Sequence, residues 1–99
     1  MKRDTAHLDR FLHALADPTR RAILQALKEK GCCSIGKPVG LCACDIEARI
    51  QRSQPTISHH MAILTEAGLV TAEKQGTWMW YRRNEKALKE LVEVLGTEV

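Results

Sequence analysis

The chain has 99 residues, of which 44% are hydrophobic and 27% are charged, and its formal net charge at pH 7 is +3. These proportions are typical of one folded domain over residues 1–99, and they exclude a disordered or fibrous chain. No apolar run approaches the roughly 20 residues that span a bilayer, and the N-terminus lacks the apolar stretch of a signal peptide. We therefore expect a cytoplasmic protein without membrane contact. The weak positive charge permits nucleic-acid binding without establishing it.

Two amphipathic helices are predicted in the first third of the chain. Leucine and phenylalanine side chains recur at three- and four-residue spacing over 5–15, which is typical of a helix with one buried face. Asp17 can cap a second helix, and Pro18 suits its first position, where no backbone N–H is needed. We expect this helix to end at Gly31 and the glycine-rich segment 31–41 to form a loop.

Two further helices are predicted on either side of a tight turn. The first begins at Cys42 or Cys44 and ends at Ile50. The second follows Ser53, whose hydroxyl can cap it, and ends before Gly68. Two short helices joined by a tight turn form the outline of a helix-turn-helix motif.

The pattern then changes to strands and ends in a helix. Residues 69–74 and 77–82 are rich in β-branched and aromatic side chains, and Lys74, Gln75 and Gly76 predict the turn of a β-hairpin. A final helix follows over 84–96, capped by Asn84 and closed by Gly96. The predicted fold class is mainly α with a small β-hairpin, a winged helix-turn-helix in the order α-α-α-α-β-β-α.

The first and last helices favour a homodimer. Both 5–15 and 84–96 carry more apolar side chains than a domain of this size can bury. We expect these two segments to form the dimer interface.

The helix after Ser53 has the polar face of a DNA-recognition helix. Ile57, Met61 and Leu64 fall at i, i+4 and i+7 and are expected to point inward, with His60 at the border as a structural histidine. Short polar side chains at the opposite face reach base edges or phosphates in the major groove, and the hairpin tip can meet a neighbouring backbone or minor groove. The alternative is an ordinary solvated face, but the cap, the preceding helix and the following hairpin favour DNA binding. The candidate DNA-binding residues are Ser53, Gln54, Thr56, Ser58, His59, Lys74, Gln75 and Arg82.

Four segments carry a resemblance to a known family. They are LADPTRRAIL at 15–24, LCACDI at 41–46, SQPTISHHMAILTEAGLV at 53–70 and the hairpin strand that ends in WYRR. Over roughly residues 8–95 the chain resembles the ArsR/SmtB family of metal-sensing repressors. The resemblance implies a homodimeric winged helix that binds two-fold-symmetric, double-stranded operator DNA and releases it when an inducer binds.

The cysteines match this family in part. Cys42 and Cys44 match the Cys-x-Cys box of its arsenic- and cadmium-type members. The arsenic-type box typically has another cysteine three residues further on, where this chain has Glu47. A three-thiolate site would therefore need Cys32 or Cys33 from the glycine-rich loop. The cadmium-type pattern draws cysteines from the N-terminal segment, which here has none.

Cysteine chemistry points to a soft inducer. Four cysteines in a cytoplasmic chain are expected to be reduced, and the positive end of a helix favours the ligating thiolate form. Soft thiolates select soft ions, so As(III) or Sb(III) is the first choice and Cd, Pb or Zn comes next. Because residues i and i+2 do not share a helix face, we expect that Cys42 and Cys44 cannot share an ion while the first helical turn stays regular.

Two alternative functions stay open. The same cysteines can form disulfides in a repressor that senses oxidants or reactive sulfur. Without DNA binding, the chain would be a metal-carrying or thiol-exchange protein. An enzyme is not expected, because the histidines are scattered and the sequence has no nucleophile elbow or phosphate-binding loop.

Overall fold

The computed structural model describes residues 5–29 and 39–98. Its helices and strands, in chain order, are α1 (Thr5–Leu15), α2 (Pro18–Ala26), β1 (Leu41–Cys42), α3 (Ala43–Ile50), α4 (Gln54–Glu66), β2 (Val70–Gln75), β3 (Trp78–Arg83) and α5 (Glu85–Glu98). This confirms the predicted winged helix-turn-helix and adds the short strand β1. None of the described helices has the length and apolar character needed to cross a membrane.

The three predicted helix caps are confirmed. The Asp17 carboxylate accepts hydrogen bonds from the backbone N–H of Thr19 and Arg20, at 2.7 and 3.3 Å. The Ser53 hydroxyl caps α4, and the Asn84 side-chain oxygen accepts from the Ala87 N–H at 3.1 Å. Each cap satisfies a backbone donor that the first helical turn leaves without an intrahelical partner, so local chemistry starts these helices where the sequence predicts.

Two predicted helix ends are wrong. The second helix ends at Ala26, not at Gly31, because the N–H groups of Lys28 and Glu29 bond three residues back in a tighter turn. At the other end of the chain, α5 continues through Gly96 to Glu98. A glycine stops a helix by adopting positive φ, as Gly68 does after α4 with φ of 81°, and Gly96 does not do so.

The three strands form an antiparallel sheet in the order β1-β3-β2. Lys74 and Gln75, predicted in the hairpin turn, belong to β2, and Gln75 pairs with Trp78. The turn is therefore the two residues between them, beginning with Gly76 at φ of 63°. Cys42 of β1 lies directly opposite Trp80 of β3. This pairing attaches the entrance of α3 to the hairpin.

The core lies between the helices and one face of the sheet. Ile57, Met61 and Leu64 are buried, as their spacing predicts, and Ile46 of α3 packs in the same cluster. Burying side chains of this size stabilises the fold by about 1.5–3 kcal/mol each. The position of α4 is thereby determined by packing along its inner face, which leaves its outer face free for binding.

Candidate DNA-reading helix and thiol site

The outer face of α4 is polar and accessible. Gln54, Ser58 and His59 are exposed, whereas Thr56 is half-buried. The Thr56 hydroxyl lies 2.9 Å from that of Ser53, so these two hydroxyls already bond each other at the cap. The first two turns of α4 therefore present an amide, a hydroxyl and an imidazole to solvent.

A three-residue turn joins α3 to α4. Gln51 ends α3 in the left-handed conformation, with φ of 58°, and its N–H bonds the Glu47 carbonyl at 2.9 Å. A non-glycine residue adopts this conformation at some cost. The short turn places the start of α4 directly after the end of α3.

The β2–β3 hairpin adds exposed cations next to α4. Lys74 and Arg82 are exposed, and Gln75 is the last residue of β2. Trp78 is 54% exposed at the start of β3. Sequence reasoning assigned it only to the strand, although a large aromatic residue beside a hairpin turn is a signal for a contact surface.

His60 points inward, as predicted, and has a partner that the sequence did not reveal. Arg20 of α2 is buried and donates from Nη1 to His60 Nδ1 at 3.0 Å. Burial lowers the pKa of His60; the Asp17 carboxylate opposes this, while the nearby positive charges lower the pKa further. The available signal was that Arg20 shares the apolar face of α2 with Ile23 and Leu24.

Cys42 and Cys44 come together at the entrance of α3. Cys42 is the N-cap residue, with extended backbone, and is buried, whereas Cys44 is exposed. The Cys42 thiol donates to Asp45 Oδ2 at 3.3 Å. The two sulfur atoms and an Asp45 oxygen all lie within 4.8 Å of one another. Sequence reasoning used Asp45 only as a favourable charge at the helix start; its i+3 spacing from the cap residue was the signal for this contact.

This geometry corrects one sequence-based expectation. The sequence predicted that the two thiols cannot share an ion while the first turn of α3 stays regular. In the structure Cys42 precedes the helix, so its sulfur is not confined to a helix face. Ligand atoms on one tetrahedral zinc ion lie roughly 4 Å apart, given Zn–S distances of about 2.3 Å. Small side-chain rotations would therefore suffice for a soft ion. Cys32 and Cys33 lie outside the described residues.

Comparisons with known proteins identify the family of the chain. A family described as bacterial regulatory protein, arsR family, matches residues 17–72. The arsenical resistance operon repressor of Staphylococcus aureus is 40% identical over 88 residues, which are 89% of this chain and 76% of that protein. An uncharacterised HTH-type transcriptional regulator of Methanocaldococcus jannaschii is 40% identical over 82 residues, 83% of each chain.

A solved structure matches the whole fold. The crystal structure of an ArsR family transcriptional regulator superposes with a TM-score of 0.77 at 26% identity, and the match covers 99% of this chain and 91% of that one. The chain therefore belongs to the arsR family of bacterial regulatory proteins, which are transcriptional regulators and not enzymes.

Proposed function

We propose that this chain is a cytoplasmic repressor that leaves its operator when As(III) or Sb(III) binds Cys42 and Cys44. The observation that carries the proposal is the cluster of two thiols and the Asp45 carboxylate within 4.8 Å at the entrance of α3, the helix directly before α4. The name of the Staphylococcus aureus relative supports the arsenical inducer.

In this proposal, α4 lies in the major groove and the hairpin meets the adjacent DNA backbone or minor groove. Polar side chains at the start of α4 contact base edges and phosphates, and the cations of the hairpin contribute a salt-dependent attraction. The residues that we assign to DNA contact are Ser53, Gln54, Thr56, Ser58, His59, Lys74, Gln75 and Arg82.

Inducer binding and DNA release are linked through Cys42. An ion bound by both sulfur atoms displaces the Cys42 thiol proton and so removes the Cys42–Asp45 hydrogen bond, which lets the cap of α3 move. The short turn at Gln51 passes this movement to α4, and the pairing of Cys42 with Trp80 passes it to the hairpin. For release, the inducer must bind the DNA-free conformation more tightly, by about 1–3 kcal/mol in a typical coupling.

The third ligand has three candidates. Asp45 is the nearest within the described part of the chain, and Cys32 and Cys33 are the thiol alternatives. A hard carboxylate suits Zn better than As(III), whereas a third thiolate suits As(III). The identity of this ligand therefore decides between metalloid and metal among the candidate inducers As(III), Sb(III), Cd, Pb and Zn.

We also propose a homodimer formed through 5–15 and 84–96, with residues 1–99 as a single domain. Leu12 of α1 is 43% exposed, and Val92 and Leu95 of α5 are 70% and 36% exposed. The two helices contact each other, and we assign these exposed side chains to one shared apolar surface. A second copy of the chain covers it and places two α4 helices on a two-fold-symmetric operator.

The test is release of operator DNA by each candidate inducer. A labelled duplex is selected from a random pool by the wild-type chain, and its affinity is measured by fluorescence anisotropy with arsenite, antimonite, cadmium, lead, zinc or peroxide. We expect arsenite or antimonite to release the wild type but not Cys42→Ser or Cys44→Ser. Cys32→Ser, Cys33→Ser and Asp45→Asn identify the third ligand.

Three results would contradict parts of the proposal. Normal release from a double Cys42→Ser, Cys44→Ser variant would exclude this thiol pair as the sensor. Release by peroxide or polysulfide but not by arsenite would favour the redox alternative. Failure to select any symmetric duplex at moderate salt would favour a metal-carrying or thiol-exchange protein.

A further inference from the structure

We propose that Arg20 is a positioning residue that holds α4 at a defined angle to α1, and that it does so only while His60 is neutral. The inference rests on the proposed function, because it takes α4 as the DNA-reading helix and α1 as part of the dimer interface.

Arg20 connects three helices through one buried guanidinium. Its Nε donates to the Ala14 carbonyl at 2.8 Å and its Nη2 to the His13 carbonyl at 3.0 Å, and both carbonyls belong to the last turn of α1. Its Nη1 reaches His60 Nδ1 of α4 at 3.0 Å. Arg20 and His60 are only 6% and 9% exposed. Water therefore cannot easily replace these contacts.

The contact requires an unprotonated Nδ1 on His60. A guanidinium has only donors, so the imidazole nitrogen that faces it must accept. When His60 gains a proton, Nδ1 becomes a donor, and two donors that both carry positive charge face each other across 3.0 Å. Protonation of His60 therefore turns the hydrogen bond between Arg20 and His60 into a repulsive contact.

The charged groups around His60 favour the neutral ring. Arg20 faces it from α2, Arg52 lies on the turn before α4, and His59 is the adjacent ring at 5.5 Å between centroids. Asp17, at the start of α2, supplies the opposing negative charge, and backbone N–H groups hold its carboxylate at the helix cap. Burial lowers the pKa of His60 and supports a neutral ring at pH 7.

The contacts of Arg20 matter for DNA binding because their two ends, at His60 and at His13, lie next to proposed binding residues. His59, next to His60, is an exposed candidate base reader, and Leu12, next to His13, belongs to the proposed dimer surface. In a two-fold dimer, the angle between α1 and α4 sets the distance between the two reading helices. Loss of the Arg20–His60 hydrogen bond should weaken operator binding and also relax the preferred spacing of the half-sites.

The test compares His60→Asn, which keeps an acceptor near the Nδ1 position but does not titrate, with His60→Leu, which removes the acceptor. Operator affinity is measured at pH 7.5 and 5.5 on duplexes whose half-site spacing is altered by one base pair in either direction. His13→Asn is the matched control, because the side chain of His13 is exposed and only its carbonyl meets Arg20. Circular dichroism checks that each variant is folded at both pH values.

We expect His60→Asn to match the wild type at pH 7.5 and to bind tighter than the wild type at pH 5.5, by less than about tenfold because the lowered pKa of His60 leaves part of the wild type neutral there. His60→Leu should bind about tenfold more weakly at pH 7.5 and tolerate altered spacing. His13→Asn should follow the wild type. Equal acid sensitivity of wild type and His60→Asn, or wild-type affinity and spacing in His60→Leu, would overturn the inference.

A second readout does not depend on DNA. In ¹⁵N NMR spectra, His60 should be neutral with an unprotonated Nδ1 at pH 7.5, and amide signals along α4 should shift together with its titration. If no duplex is selected, the proposed function fails on its own. The positioning role fails separately if Nδ1 carries the proton at pH 7.5 or if the α4 amides do not respond.

Discussion

At the scale of single residues, the segment Asp17 to Arg21 ends one helix and begins the next. Asp17 caps α2. Arg20 donates to the Ala14 carbonyl, and Arg21 donates to the Leu15 carbonyl at 2.6 Å, so both bond the last carbonyls of α1. These carbonyls have no partner further along their own helix. The segment is therefore a compact joint, and it is one of the segments on which the family resemblance rests.

Stability should fall on mild acidification because of His60. An ordinary histidine has a pKa of 6.5, and burial lowers the pKa of His60 in the folded chain. Between these two values the unfolded chain binds more protons, so the free energy of unfolding decreases as pH falls below about 6.5 and levels off below the folded-state pKa. Urea midpoints at pH 7.5, 6.0 and 5.0 should show a smaller decrease for His60→Asn. An identical decrease in both chains would contradict this prediction.

Residue-scale features were predictable where they depend on near neighbours. The caps at Asp17, Ser53 and Asn84 follow from side chains that bond N–H groups two or three residues away. The partner of His60 lies 40 residues earlier in the sequence. No spacing rule connects two helices at that separation, so the border position of His60 was predictable and its bond to Arg20 was not.

At the scale of secondary-structure elements, β1 connects the thiol site to the hairpin. It has two residues, too few for any period to be visible, and it exists because β3, far along the chain, offers an unpaired edge. The sequence therefore predicted the end of a loop at Leu41 and the start of a helix at Cys42 or Cys44. Cys42 consequently has two roles, as the last residue of β1 and the cap of α3, which a prediction of a helical Cys42 could not show.

Gly40→Ala should weaken the attachment of β1. A Cβ at Gly40 would lie 2.6 Å from the Tyr81 carbonyl oxygen and 3.1 Å from the Trp80 indole, so backbone must move. We expect a loss of about 1–3 kcal/mol in the free energy of unfolding, as for other overpacked sites. Urea denaturation monitored by tryptophan fluorescence measures this.

The matched control is Gly96→Ala in α5. Nothing lies within 4 Å of a Cβ at Gly96, and its backbone is helical. Alanine should therefore stabilise the chain by about 0.5–1 kcal/mol. Equal effects of the two substitutions would show that the β1–β3 contact does not constrain the chain as the structure indicates.

At the scale of the whole molecule, the described part of the chain leaves large apolar side chains of α1 and α5 exposed. The predicted stripe of α5 divides in the structure: Leu91 is buried in the core, whereas Val92 and Leu95 remain exposed, as does Leu12 of α1. Helical periodicity predicted that these residues are apolar on one side. It could not show which of them the chain covers with its own core, because that depends on where α1 crosses α5.

Val92→Glu should separate the proposed dimer without unfolding the protomer. Val92 is 70% exposed in the single chain, so a carboxylate there stays hydrated until a second copy covers it. In a two-fold dimer, each protomer loses the burial of one valine. At about 1.5 kcal/mol per valine, the two losses together weaken association roughly 100-fold. Sedimentation equilibrium at micromolar concentration should then show a monomer, and operator binding should weaken. The control is Glu93→Lys, a charge change at the neighbouring exposed position, which should keep the wild-type mass. If Val92→Glu sediments as the wild type does, the second copy does not bind this surface.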